Sequence, residues 1–205
     1  RPEGLEWYHG VIVTQSHWGL PLEYHLIPQF LPSRYRSHAI GKWDVGHYTW
    51  NHVPTARGFH SFLGFYGTDV DYYTHETFDT LQCLEEMELA ECEARLASEC
   101  SSSIKDYNFD GDPLPLADGT YSTDVFANRA RDLIRKEAPK HPLFLYVAFN
   151  AVHAPLEADE DVIESFASSF LEEARDARAS FAAVALGMDR AMEAVVDELK
   201  AVDGA

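Results

Sequence analysis

Residues 142–155 limit the fold more than any other stretch. Pro142 is followed by Leu143-Phe144-Leu145-Tyr146-Val147-Ala148-Phe149, an unbroken apolar and aromatic run, and then by Asn150-Ala151-Val152-His153-Ala154-Pro155. The run is far shorter than the roughly 20 apolar residues of a membrane span. Its aromatic and β-branched content, bounded by breakers, predicts a strand buried on both faces, as in the parallel sheets of α/β proteins. Helices must then cover that sheet. Ser122 or Thr123 can cap a helix over about 124–136, with Asp124 favourable near its N-terminal dipole. Farther on, Phe181, Val184, Ala185, Met188, Met192, Val195 and Leu199 recur at three- and four-residue steps. That spacing predicts one apolar helix face lying on the sheet, a core stripe. Helix, buried strand, loop and helix in this order are the grammar of a βαβ fold.

The rest of the chain is less regular. Residues 1–24 read as loop with a short apolar piece at 11–13. A helical turn or two is expected over 23–31, ended by Pro32. His38-Ala39-Ile40-Gly41-Lys42 reads as a short strand entering a loop, and residues 43–75 as irregular, aromatic-packed chain. In residues 79–103, Leu81, Leu84, Met87, Leu89 and Leu96 sit among many Glu and Asp, which predicts an acidic surface helix inserted into the domain. Residues 110–119 hold two Pro and two Gly outside the helical patterns and read as loop. No internal repeat is present. The 205 residues suffice for one sizeable domain.

Charge narrows the partners. Lys and Arg total 16 against 34 Asp and Glu, a formal net charge of -18. Such a chain repels phosphate backbones and anionic lipid, so nucleic acid and membrane surfaces are poor partners. A small anion is not excluded, because a few cations in a cleft outweigh a distant field. The chain opens on Arg1 with neither Met nor a signal peptide, which suggests a processed or incomplete sequence. Cys83, Cys92 and Cys100 leave at least one thiol without a partner in the chain, and no Asn-x-Ser/Thr acceptor occurs.

In open α/β sheets, ligands bind beyond the carboxyl ends of the strands. Two such ends carry titratable groups: Gly41-Lys42-Trp43-Asp44-Val45-Gly46 and Asn150-Ala151-Val152-His153-Ala154-Pro155. A fixed cation and a group that titrates near neutrality suit anion chemistry, one to hold oxygens and one to move a proton. From position alone, a solvated Lys42 and a hydrogen-bonded loop His153 are the plainer reading. His47 and His52 read as structural or solvated histidines rather than zinc ligands. Asp69 and Asp71 read as turn residues rather than an acid–base pair.

Several motifs in order change that weighting. Gly41-Lys42-Trp43-Asp44-Val45-Gly46 resembles the Gly-Lys-Trp-His-Leu-Gly motif of type I sulfatases. Pro54-Thr55-Ala56-Arg57-Gly58-Phe59, with Phe65-Tyr66 after it, resembles their Pro-Thr-x-Arg-Gly-Phe-Asp stretch. Asp71-Tyr72-Tyr73-Thr74-His75, Gly119-Thr120-Tyr121-Ser122-Thr123-Asp124, Pro142 to Leu156 and Gly19-Leu20-Pro21-Leu22 fall in the same order. Arylsulfatases of the arylsulfatase B type are similar in pattern. The resemblance spans nearly the whole chain apart from about 79–103. It implies an α/β sandwich of the alkaline-phosphatase type with a mostly parallel central sheet. It also implies a sulfuric ester hydrolase acting on an aryl or carbohydrate sulfate, with a sulfated small molecule or glycan as partner. Calcium and a formylglycine made from cysteine are the family's cofactors. By motif, Lys42 would hold sulfate, and His153 would bind sulfate or act as the acid. A secretory, lysosomal or extracellular location follows from the same resemblance. Related arylsulfatases close a loop by a disulfide near Cys83 and Cys100; a buried or free thiol is the alternative reading.

Three departures qualify it. No Cys-x-Pro-Ser-Arg occurs in the 205 residues, and the family's Asp pair and Asp-Asn pair for calcium are missing. Residues 1–205 thus read as a partial catalytic domain, an internal fragment expected to show no turnover alone. Asp44, moreover, stands at the family's histidine position. An ionised Asp only accepts hydrogen bonds, and it places negative charge beside an anionic substrate. A degenerate relative that binds sulfated ligand without turnover, and a phosphohydrolase of the same superfamily, are the competing readings.

Overall fold

The computed structural model describes residues 12, 16–68, 70–77, 104–106, 108–113, 119–172 and 175–203. In chain order they form α1 (Ile27–Phe30), β1 (Arg36–Lys42), a 3-10 turn (Pro54–Arg57), β2 (Ser61–Phe65), β3 (Glu76–Thr77), β4 (Ile104–Lys105), β5 (Asn108–Phe109), β6 (Asp112–Pro113), α2 (Ser122–Glu137), β7 (Leu143–Ala148), α3 (Glu160–Ala167) and α4 (Arg175–Asp203). One sheet has the order β6-β5-β2-β1-β7, and β3 pairs with β4 apart from it. β1 runs parallel to both β2 and β7, while the β5–β6 hairpin extends the β2 side antiparallel.

Side chains alternate across a strand, so β1 and β2 feed two cores. Ile40, Leu63 and Phe65 meet Phe126, Ala130 and Leu133 of α2 on one face. Ala39 and Phe62 meet Trp43, Val53 and Phe59 of the β1–β2 connection on the other. The connection is thus a covering layer as well as a loop. Arg57, buried at its end, donates to Leu20 O (3.2 Å) and Tyr24 O (2.6 Å) and so fastens the preceding segment to it. α2 turns Phe126, Ala127, Ala130, Leu133 and Ile134 inward at the spacing of one helical face.

Several expectations need correction. The turn or two over 23–31 is a single turn, Ile27–Phe30, with Pro28 at its start and Pro32 just beyond its end. α2 begins earlier than 124, and Tyr121 is its N-cap without a side-chain bond; Ser122 and Thr123 lie inside the helix, fully buried. β7 is not buried on both faces. Among the described residues it is the sheet's edge, half-exposed along its length, with Tyr146 41% exposed. The last helix is correct in place, but α4 packs on α2 and α3 rather than on the sheet. Of the expected stripe, Val184 is fully buried beside Ala179, Ala183 and Ala191, and Val195 packs against the core cluster, whereas Phe181, Met192 and Leu199 are exposed. The acidic segment 79–103 with all three cysteines, and Asp69, lie outside the described residues.

Backbone approach at the centre of the sheet is unusually tight. Gly41 sits opposite Gly64 on β2 and Ala148 on β7. Its φ is +89°, and a Cβ there would run into the Ala148 carbonyl; one at Gly64 would run into Gly41. Only glycine meets both demands. Gly41→Ala is therefore expected to cost about 2 kcal/mol or more through strain and forced separation. A urea-unfolding midpoint equal to that of the parent chain would contradict this packing.

Candidate functional site

β1 and β7 are parallel neighbours, so their carboxyl ends open on one edge of the sheet. Lys42 is the last residue of β1, and His153 lies in the turn that follows β7. Pairing with β2 continues past the strand: Trp43 N donates to Phe65 O (3.0 Å) and Asp44 N to Tyr66 O (3.2 Å). Trp43 Nε1 then donates to both Gly46 O (3.0 Å) and His52 O (3.1 Å), closing the loop after Lys42. Asp44 takes a left-handed φ of +53°, a conformation Asp tolerates better than most residues. Gly46 passes so close to Trp18 and Gly19 that a Cβ would clash with their backbone.

The structure brings two of the three expected site residues into contact. Lys42 Nζ stands 3.4 Å from Asp44 Oδ2, with the two side chains 24% and 34% exposed. The Asp44 carboxylate also acts on Tyr146 of β7, whose phenol is pushed above its ordinary value by burial first and by Asp44 second. Asp44 thus lies between the charge on β1 and the outer face of β7. His153 stands apart, exposed, on the neighbouring strand end. Its Nδ1 lies 2.8 Å from Ala154 O, and a carbonyl only accepts, so Nδ1 carries the proton. That leaves Nε2 as the nitrogen able to meet a ligand. The turn is tied at its base, where His153 N donates to Asn150 O (2.8 Å). Asn150 is itself buried and accepts from Ser122 Oγ of α2 (3.3 Å) through Oδ1.

Some residues around this edge escaped sequence reading. Tyr72 is fully buried and donates from its hydroxyl to His153 O (3.1 Å). Glu157 returns from beyond the turn, its Oε2 accepting from Tyr72 N (3.0 Å). Asp71 is the turn residue expected of it: Oδ1 accepts from Tyr73 N (2.9 Å) and Thr74 N (2.6 Å). The one signal for this cluster was Asp71-Tyr72-Tyr73 followed by Tyr121, aromatic residues too polar for an ordinary core. His47 stacks on Tyr66 at 5.2 Å, and His52 is held by Thr49 Oγ1 at 2.7 Å. Among the described residues no three His, Cys, Asp or Glu converge on a point that could hold a metal ion. A calcium ion needs six to eight oxygens, so these residues alone do not fit one.

The comparisons with known proteins agree with this architecture. The model of the Sulfatase family matches residues 6–204. The chain is 32% identical to arylsulfatase J of Mus musculus over 161 residues, covering 78% of this chain and 24% of that protein. It is 28% identical to N-acetylgalactosamine-6-sulfatase of Homo sapiens over 144 residues, covering 69% and 24%. Among solved structures, Ps i-CgsB in complex with k-i-k-neocarrahexaose superposes with a TM-score of 0.71 at 25% identity, over 94% of this chain and 40% of that one. The PsFucS1 sulfatase from Pseudoalteromonas sp. shares the fold with a TM-score of 0.52 at 19% identity, over 95% and 37%. The fold is an alkaline-phosphatase-like α/β arrangement with an open, mostly parallel central sheet. The chain belongs to the sulfatase family. It spans about a quarter of the length of the curated relatives named here.

A partly exposed ion pair is worth about 1 kcal/mol or less, so an anion can displace Asp44 from Lys42 at small cost. Asp44→Asn removes that competition without changing size. It is expected to tighten the binding of inorganic sulfate by about fivefold, and Lys42→Ala to abolish the gain. Titration calorimetry that finds equal affinities for the parent and Asp44→Asn would show that the pair does not limit the site.

Proposed function

We propose that this chain recognises the sulfate group of a carbohydrate or aryl ester and serves its hydrolysis. The observation that carries this is the placing of Lys42 and His153, each in a sulfatase motif, at the carboxyl ends of adjacent parallel strands. Lys42 supplies a fixed positive charge for sulfate oxygens. His153, with Nδ1 committed to Ala154 O, presents Nε2. When protonated, that nitrogen can donate to a sulfate oxygen or to the leaving oxygen as the bond to sulfur breaks. Asp44 accepts and cannot donate unless protonated, so it does not replace a histidine in that work. Its role is to balance Lys42 and to make anion binding conditional on displacement. Among the described residues no cluster of His, Cys, Asp or Glu could hold a calcium ion.

A sulfated glycan is the favoured substrate class. The Ps i-CgsB structure, similar over nearly the whole chain, is a complex with k-i-k-neocarrahexaose, and a curated relative is an N-acetylgalactosamine-6-sulfatase. The proposal extends to a secretory, lysosomal or extracellular setting, where such glycans occur; no described helix is long and apolar enough to cross a membrane. A second reading, binding without turnover, draws its support from the Lys42–Asp44 pair.

Binding and turnover separate the two readings. Binding of a sulfated oligosaccharide should weaken at least tenfold in Lys42→Ala, the loss expected of one charge-assisted contact. In a longer protein carrying these residues with a formylglycine, His153→Ala is expected to cut kcat on an aryl sulfate by about 100-fold or more. Asp44→His should raise that rate. A flat or lower rate with binding intact would make Asp44 a working adaptation, and absence of turnover in every form would leave the binding role.

A further inference from the structure

Two imidazoles, a guanidinium and a serine hydroxyl meet at the amino ends of β1 and β2, beneath α2. His38 is 5% exposed, and its Nδ1 lies 2.6 Å from Ser61 Oγ, its register partner on β2. Arg129 of α2 donates to the same oxygen (3.3 Å), with its guanidinium set over the Phe109 ring at 5.1 Å. No described carboxylate pairs with Arg129. The His60 ring stands 6.1 Å from that of His38, and its Nδ1 accepts from Ser37 N (3.1 Å). His60 occupies the place of the Asp in the Pro-Thr-x-Arg-Gly-Phe-Asp stretch, so an acid is missing where the cations gather.

A neutral imidazole suits this arrangement. With Nδ1 bare, the Ser61 hydroxyl donates to His38, and Oγ still accepts from Arg129. A second proton on the ring makes Nδ1 a donor as well. One serine oxygen then faces two cations, and its own proton has no acceptor in the chain of bonds. The other ring nitrogen, Nε2, is buried without a partner, so it offers the new charge no relief. We infer that His38, Ser61 and Arg129 form an acid-sensitive joint, which ties α2 to β1 and β2 only while His38 is uncharged and slackens when that imidazole takes a proton.

The charged groups that face His38 are Arg129, Lys136 and Glu137 of α2 and His60 before β2, while β7 sets the apolar Leu145 opposite it. Glu137, the one acid, already stands 3.7 Å from Lys136 Nζ. Burial first, and Arg129 next, hold the His38 imidazole down at about 4, with Glu137 opposing them. A histidine value depressed in the folded state leaves stability whole above the ordinary 6.5. Stability is then lost as pH falls from there toward the folded value. The joint lies about 13 Å along β1 from Lys42, so the inference does not depend on how Lys42 and His153 meet a ligand. α2 reaches both ends, because its Ser122 donates to Asn150 under the His153 turn. Near-neutral surroundings suit such a chain, and of the settings proposed above an acidic lysosome suits it least.

Urea unfolding of the chain at a series of pH values between neutrality and about 4.5 tests this. The reference is His38→Asn, whose carbonyl can still accept from Ser61 but takes no proton. Below 6.5 the parent's folding equilibrium should fall about tenfold more per pH unit than that of His38→Asn. His60→Asp, which puts a carboxylate beside His38 and Arg129, should remove most of that extra loss. Parallel slopes for the parent and His38→Asn, or an undiminished loss in His60→Asp, overturn the joint. Should His38→Asn fail to fold, NMR titration of the His38 ring in the folded parent decides. A ring that stays neutral to well below 6.5 supports the joint, and one that titrates there overturns it.

Discussion

At Gly41 the backbones of β1, β2 and β7 converge more tightly than a side chain allows. The three strands stay in register because Gly41 faces Gly64 on one side and the Ala148 carbonyl on the other. That register decides where the strands end relative to one another. Lys42 follows Gly41 directly, and His153 follows Ala148 by five residues. A slip of one residue between β1 and β7 would turn the side chains of one strand to the opposite face and separate the two groups. The site is thus a by-product of a packing constraint inside the sheet. The placing of Lys42 and His153 depends on a residue that has no side chain.

The loops beyond the strands are held by a different kind of force. Trp43, Arg57, Asn150 and Tyr72 are buried polar side chains, and each spends its hydrogen bonds on backbone carbonyls or on a neighbouring side chain. Irregular chain has no ladder to satisfy its own polar groups, so side chains must do it. This accounts for the aromatic and glycine residues of the connection between β1 and β2. Trp43, Val53 and Phe59 of the β1–β2 connection cover one sheet face, and at the same time this connection fixes the backbone that carries Lys42 and Asp44.

Much of this was legible in the sequence, and the reasons it was or was not are physical. The Leu143–Ala148 strand and the long final helix could be read because hydrophobic period is local. The faces they bury could not. β7 was expected to be covered on both sides, but what covers a strand is set by residues remote from it. The stripe from Phe181 to Leu199 has helical period, and Val184 and Val195 of it are packed, yet Phe181, Met192 and Leu199 are exposed while Ala183 and Ala191 are buried, because a helix's neighbours decide which face it buries. The strand-end positions of Lys42 and His153 were legible, because each follows a run that reads as a strand. The ion pair of Asp44 with Lys42 was not, because a carboxylate two residues away can point to either side of a loop. The Tyr72–Glu157 hydrogen bond lay furthest from view. Tyr72 and Glu157 are 85 positions apart, and nothing in either local sequence calls for the other.

Lys42 and Asp44 cancel at 3.4 Å, so from a distance the pair is a dipole rather than a charge. A dipole's field dies off quickly, whereas the chain's net charge of -18 reaches as far as the ionic atmosphere allows. An anion therefore approaches Lys42 against the field of the chain and meets a cation only on arrival. Salt shortens the reach of that repulsion while leaving the close contact with Lys42 largely in place. The encounter is easier in saline surroundings than in dilute ones, the reverse of what an openly cationic anion site would show.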